Sequence, residues 1–362
     1  MKVLITCARA PVSIEWILIF QKANYQIVLT DSLAFPITKY CKNVTFVQTA
    51  SPRFNFVLYK KQMLDLIKSV DLVIPNCEDI FYLTQIRDDI SNQVKLFMPE
   101  DRLLFALHNK YTVSQYLNQY VRFPKTNIIY NKQDICIDNN TILKPVFSRF
   151  GKHVVRDINI ESIENLEISK EYPWVQQEKI VGEPICNYAL LENGKVIAHS
   201  AYKPRYLLNG AAATYFESYY DDRLEQFIQQ FALDTDYVGQ VAFDFIDDGN
   251  ELYVLECNPR ATSGLHLMRN FLSVKEGEFI YHNNSNKISY RIGMTLYIFF
   301  GLKALFKGDF FKLSSDYKYA DDVLSPLPWY AQPLSLMGMI LRAISFKKDI
   351  TTASTFDIEY DG

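Results

Sequence analysis

The chain has 362 residues, with 49% hydrophobic and 22% charged side chains. That is enough apolar material for two or three packed domains and excludes a disordered chain. Lys+Arg 38 against Asp+Glu 41 leaves a net charge of -3, which excludes a generally basic nucleic-acid binder. The six cysteines, from Cys7 to Cys257, form no CxxC pair, which predicts reduced thiols and a cytoplasmic protein. The N-terminal apolar run meets Arg9 and Pro11 too early for a signal peptide. Pro326, Pro328 and Pro333 interrupt the longest apolar stretch, Leu324–Leu341, so no membrane span is expected.

The first hundred residues alternate strands and helices. KVLIT at 2–6 and YQIVLTDS at 25–32 read as strands, with a helix over Ser13–Lys22 between them. A helix over 55–69 and the strand DLVIPN at 71–76 follow, which predicts a parallel, Rossmann-like sheet. Thr6-Cys7-Ala8-Arg9-Ala10-Pro11 stands where a GxGxxG fingerprint would be, so a nicotinamide dinucleotide is not indicated. His108–Tyr120 reads as a helix. From Thr141 the pattern turns antiparallel: TILKPVF, WVQQEKIVG, then a hairpin around Asn193-Gly194. An amphipathic helix at 221–233 separates this from a second hairpin, VAFDFI and ELYVLE, within 241–256. After about residue 271 the chain is aromatic-rich and helical.

The second hairpin carries the densest chemistry. Asp244 lies on its first strand, and Glu256, Asn258 and Arg260 alternate along the end of the second. Such hard oxygen donors suit Mg²⁺ bound to phosphates, and Arg260 suits a phosphoryl group. The bland alternative is a hairpin whose acids face water. Simple pairing through a Gly249-Asn250 turn sets Asp244 opposite Leu255 and puts Glu256 on the other face. A shared metal therefore requires a twist or bulge near Glu256.

YVLECNPRATSG, with Asp244 twelve residues before Glu256, resembles the metal-binding strand of the ATP-grasp superfamily. That superfamily includes the carbamoyl phosphate synthetase large subunit and D-alanine–D-alanine ligase. Other segments resemble the family in order: Lys110 at a helix start, Lys144 in TILKPVFSRFG, and the hinge-like QEKIVGE at 177–183. The resemblance implies an α/β and α+β protein with a Rossmann-like pre-ATP-grasp domain, a two-subdomain ATP-grasp fold and a helical C-terminal tail. The domain limits expected are 1–105, 106–185, 186–275 and 276–362, the last of unknown role.

By the same resemblance, Asp244, Glu256 and Asn258 hold Mg²⁺ (or Mn²⁺ in its place). Lys110, Lys144 and Ser148 meet ATP phosphates, with Ser148 opening the reduced loop Ser148–Gly151. Gln177, Glu178, Lys179 and Ile180 lie at the adenine, and Glu183 at the ribose. Arg260 steadies the transferred phosphoryl group, and Lys203 and Arg205 are placed to orient substrate. The alternative for Arg205 is a pair with Glu217. Gly210–Ala213 reads as a small-residue loop near substrate.

The activity implied is ADP-forming ligation of a small-molecule carboxylate to an amine through an acyl phosphate. Two other readings stay open: a bicarbonate-using carboxylase or carbamoyl-phosphate-type enzyme, and a non-catalytic ATP-binding regulatory protein. No nucleic-acid partner is implied, and a homodimer is left open.

Overall fold

The computed structural model describes residues 1–148, 153–208, 212–282 and 287–360. The N-terminal part is a parallel sheet of β1 (Lys2–Ile5), β2 (Gln26–Asp31), β3 (Val44–Gln48), β4 (Leu72–Ile74) and β5 (Lys95–Leu96), in the order β3-β2-β1-β4-β5. Val3, Leu4 and Ile5 are fully buried, as a strand covered on both faces requires. Helix α1 (Ser13–Lys22) is buried nearly all round because it lies between this sheet and the later large one. Helix α2 (Phe56–Ile67) starts where Asn55 accepts from Leu58 N, and α3 (Asp79–Thr84) packs nearby on the same sheet.

Helix α4 spans Asp101–His108, earlier than the sequence reading placed a helix. The acid of Asp101 sits in its first turn, and Asn109 stops it by accepting from Tyr111 N and Thr112 N at the start of a short 3₁₀ turn. Lys110 thus follows a helix end and does not begin a helix.

A small antiparallel sheet follows, built from β6 (Thr126–Ile129), β7 (Thr141–Pro145) and β8 (Trp174–Glu178) in the order β6-β8-β7. Ile129, Leu143 and Trp174 pack with Ile158 on one face, beside α5 (Ile160–Glu164). Alternation turns Ile142, Lys144, Val175 and Gln177 to the other face.

The large sheet has the order β13-β12-β9-β10-β11-β16-β17. Its strands are β9 (Glu183–Glu192), β10 (Lys195–Leu208), β11 (Ala212–Tyr219), β12 (Gly239–Asp247) and β13 (Leu252–Asn258), followed after the β14 (Leu272–Lys275) and β15 (Glu278–Tyr281) ribbon by β16 (Ser289–Arg291). Asn193 and Gly194, at φ 53 and 69, form the primed turn joining β9 and β10. One face buries Leu224, Phe227, Ile228 and Phe231 of α6 (Asp222–Thr235) against Phe243 and Phe245. The other buries Tyr188, Leu190 and Ala242 against α1. Ala212 and Ala213 open β11 opposite Leu208 and Leu207, so they are strand and not loop; Arg149–Gly151, Gly210 and Ala211 of the expected loops lie outside the described residues. Where the chain passes from the small sheet to the large one, a Cβ on Gly182 would sit 2.1 Å from Asp247 O, so only glycine fits.

The C-terminal region is more than helices. After α7 (Gly301–Lys307) and α8 (Phe310–Tyr319), β17 (Asp321–Asp322) pairs with β16 and extends the large sheet. Then α9 (Ala331–Phe346) and α10 (Ile350–Ala353) return the chain to the N-terminal sheet. Arg9 is buried between Asp31 (2.6 Å) and Asp357 (2.7 Å), and Tyr360 stacks on Phe81. Among the described residues no helix is long and apolar enough to cross a membrane, and all six cysteines are free thiols.

Burial would raise the Asp357 carboxyl, but Arg9 and Arg342 hold it at about 2. Replacing Asp357 with Asn leaves a buried guanidinium half paired, and should cost about 3 kcal/mol at neutral pH by denaturant unfolding. Because the native carboxyl is depressed, the gap between the two proteins should close as pH falls from about 4 toward 2. A pH-independent gap would mean that packing, and not charge, holds this segment.

Candidate functional site

The site begins with one extra residue. Near the turn, β12 and β13 pair as the simple register predicts, Asp247 with Leu252 and Phe245 with Val254. Asp244 then pairs with Glu256, and Leu255 is the bulged residue between. The bulge moves Glu256 and Asn258 to the face of Asp244 and sends Cys257 into the α6 core, where it is 3% exposed. Asn258 Nδ2 donates to Asp244 Oδ2 at 3.2 Å, and Arg260 donates to Asn258 Oδ1 at 3.0 Å. Buried Arg260 Nε has no partner among the described residues.

Two buried lysines face this group. Lys110 Nζ lies 3.5 Å from Glu256 Oε2 and donates to Ser148 O at 2.8 Å. Lys144 Nζ, from the inner face of the small sheet, donates at 3.1 Å to Leu255 O, the carbonyl that the bulge leaves free of the ladder. The pre-strand residue Arg122 adds backbone hydrogen bonds to Leu252 and Val254 along the edge of β13. The small sheet, the large sheet and the segment after α4 therefore meet at Glu256.

Electrostatics separate the two acids. Burial and the neighbouring Glu256 push the Asp244 carboxyl up to about 7. Burial would raise Glu256 as well, but Lys110 and Lys144 bring it below the ordinary range. Burial lowers the Lys144 ammonium to about 8, against the pull of Glu256. Cys186 of β9, paired with Asp244, is a half-buried thiol that desolvation and the Asp244 carboxyl push well above the ordinary range. Among the described residues no three His, Cys, Asp or Glu side chains group to hold a metal. Two carboxylates and an amide instead suit a hard divalent cation whose other ligands are phosphate oxygens and water.

The remaining expected residues divide. Gln177 is fully buried on the Lys144 face, its Nε2 on Thr126 and its Oε1 without a partner among the described residues. Glu178 ends β8 and accepts from Lys125 N at 3.2 Å. Lys179 N donates to Asn140 O at 2.7 Å, so that donor is already used, and Ile180 is the next residue along the crossing. Lys203 and Arg205 are not brought to the carboxylates. Tyr202 shares a face with Cys186 and Asp244, so alternation turns Lys203 and Arg205 to the opposite face. There Lys203 pairs with exposed Glu183 at 2.7 Å, and Arg205 pairs with Asp316 at 2.5 Å and Glu217 at 3.5 Å. The Leu255 carbonyl is the group that residue types could not reveal; its one signal was the register conflict in the hairpin.

Residues 107–264 match the family model of the ATP-grasp domain. No curated protein matches the chain. Among solved structures, the fold is similar to an N5-carboxyaminoimidazole ribonucleotide synthetase in its ADP complex, with TM-score 0.63, 13% identity and 84% of each chain covered. It is also similar to an L-amino acid ligase from Bacillus licheniformis, with TM-score 0.53 and 14% identity over 75% of this chain and 70% of that one. Pyruvate carboxylase from Rhizobium etli aligns with TM-score 0.56 and 14% identity, over 75% of this chain and 27% of the other. Identities this low establish the shared fold.

A carboxyl raised in the folded protein stabilises it below the raised pKa and penalises it above. Asp244→Asn should therefore be more stable than the parent at pH 8, by on the order of 1–3 kcal/mol, and the two should converge only as pH falls below about 4, the range of an unfolded carboxyl. Thermal melts of both proteins across that range measure this, and a difference that does not change with pH would mean Asp244 stays ionised throughout.

Proposed function

The chain carries an ATP-grasp domain at residues 107–264, and on that premise we propose that it is an ADP-forming ligase joining a small carboxylate to an amine. The observation that carries the reading is the convergence of Asp244, Glu256 and Asn258 with Lys110 and Lys144 where the two sheets meet. Synthetase and ligase names among the proteins of similar fold support it.

In this reading Asp244, Glu256 and Asn258 would hold Mg²⁺ beside the nucleotide phosphates. The metal supplies charge neutralisation on the phosphoryl oxygens. Lys110 and Lys144, buried and aimed at the same point, lower the remaining negative charge, so that a carboxylate oxygen can attack the terminal phosphorus. Arg260, with a free Nε–H, meets the transferred group with its planar fork. The Gln177 oxygen, the backbone at Ile180 and the Glu178 carboxylate line the side where the adenine would lie. Glu183 reaches the ribose only by leaving Lys203.

The step forms a carboxylate oxygen–phosphorus bond and breaks the bond to ADP. An amine then attacks the acyl carbon, losing a proton, and inorganic phosphate leaves with the oxygen from the acid. Neither half needs a side-chain nucleophile, and positioning supplies most of the rate. Lys203 and Arg205, on the face opposite the acids, take no part.

Heavy oxygen in the acid should appear once in released phosphate, with ADP as the nucleotide product, across a panel of amino acids, small acids and bicarbonate. Release of AMP and pyrophosphate would replace this mechanism with adenylation. Glu256→Gln should lower turnover by roughly 10²-fold, about 3 kcal/mol, while nucleotide binding stays measurable. Near-normal turnover in that variant would take Glu256 out of the site.

A further inference from the structure

The helices that follow the large sheet present an apolar surface that nothing in the described chain covers. α7 turns Leu302, Leu305 and Phe306 outward at helical spacing and keeps only Gly301 and Ala304 inward. Phe306 is 90% exposed, Phe311 89% and Trp329 86%. α9 carries a second outward stripe of Leu334, Met337, Leu341 and Ile344. An apolar groove of about 190 Å³ is walled by Ile298 and Phe299, just ahead of α7, and by Leu336 and Met339 of α9. Single exposed apolar residues are ordinary, whereas a patch spread over several helices marks a docking surface.

Charge says what docks. Residues 292–348 hold seven Lys and Arg against four Asp, a net of +3 in a chain of -3. Asp316 is engaged by Arg205 and Asp322 by Arg291, while among the cations Arg342 is engaged by Asp357. Lys303, Lys307 and Lys312 line an open groove of about 420 Å³ with Arg205 and a single acid, Asp309, and none of the three lysines is ion-paired among the described residues. Lysine is depleted from protein–protein interfaces, where arginine and aromatics dominate. Lysine interleaved with Leu, Phe and Trp is instead the composition of an element lying in a membrane surface.

We infer that this helical region docks on an anionic bilayer surface. Phe306, Phe311 and Trp329 enter the boundary between headgroups and acyl chains, and Lys303, Lys307 and Lys312 meet lipid phosphates. In this arrangement the helices lie on the membrane surface; among the described residues none is long and apolar enough to cross it. The ligase reading does not depend on this docking.

Co-sedimentation of the full chain with phosphatidylcholine vesicles, with and without phosphatidylglycerol, tests it. Binding is expected only with phosphatidylglycerol, and should weaken as salt rises. The double variant Lys303→Glu/Lys307→Glu should cut partitioning at least about tenfold. Phe306→Ser/Phe311→Ser should do likewise, with melting temperature and Mg-ATP binding unchanged in both. Absence of binding to phosphatidylglycerol vesicles overturns the inference, as does equal partitioning by the parent and both variants. Self-association in sedimentation velocity that Phe306→Ser/Phe311→Ser abolishes, without vesicle binding, overturns it in favour of an interface between two copies.

Discussion

Strand β13 has one residue more than β12 between the turn and the acids, and the site depends on that difference. In a regular ladder every second residue shares a face, so Glu256 would point with Val254 into the α6 core, among Phe243 and Phe245. An ionised carboxylate there would lose its solvation with nothing in return. The bulge at Leu255 exchanges the two faces in one step: Glu256 joins Asp244, and Cys257 takes the core position. It also leaves the Leu255 carbonyl without a ladder partner, and Lys144 donates to it from the other sheet. A single insertion thus aims the acids and fastens the lysine opposite them.

Buried ions recur wherever distant segments meet. Glu15 on α1, fully buried, binds Arg269 at 2.6 Å and His266 at 2.7 Å, joining the N-terminal sheet to the segment after the acids. Arg9 joins the ends of β1 and β2 to Asp357. Lys110 joins the end of α4 to Glu256. Pairs of this kind contribute little net stability, since desolvation offsets most of the attraction. They make misplacement costly, because a shifted segment leaves a charge buried alone. In this chain they set the docking angle of each layer on the next.

The sequence made the strands of both hairpins, α1, α2 and α6 legible, because their apolar residues recur at spacings of two or of three and four. Asp244, Glu256, Asn258, Lys110 and Lys144 were legible as a set, since acids and lysines at those places have no packing role. Lys203 and Arg205 look equally suited by residue type, yet strand parity turns them away, and parity over a long strand shows only once its partners are known. The tail was opaque for a related reason. The two residues of β17 and the pair between Arg9 and Asp357 are contacts between segments far apart in the chain, and neither leaves a local pattern. Helix α4 lies earlier than residue types suggest, because Asn109 and Lys110 suit a helix opening and here form a stop.

In parallel sheets of this type, ligands bind outside the carboxyl ends of the central strands. Here Asp357, stacked Tyr360 and the backbone around them occupy that edge beside Arg9 and Asp31. Arg9 and Asp357 are 348 positions apart. At the usual pace of synthesis, about 5–20 residues per second, roughly twenty seconds to a minute separates their appearance on the ribosome. Through that interval the Arg9 guanidinium, at the open edge of the N-terminal sheet, has Asp31 but not Asp357 as its partner. The first domain to be made therefore waits for a segment synthesised 348 positions later before this edge is covered.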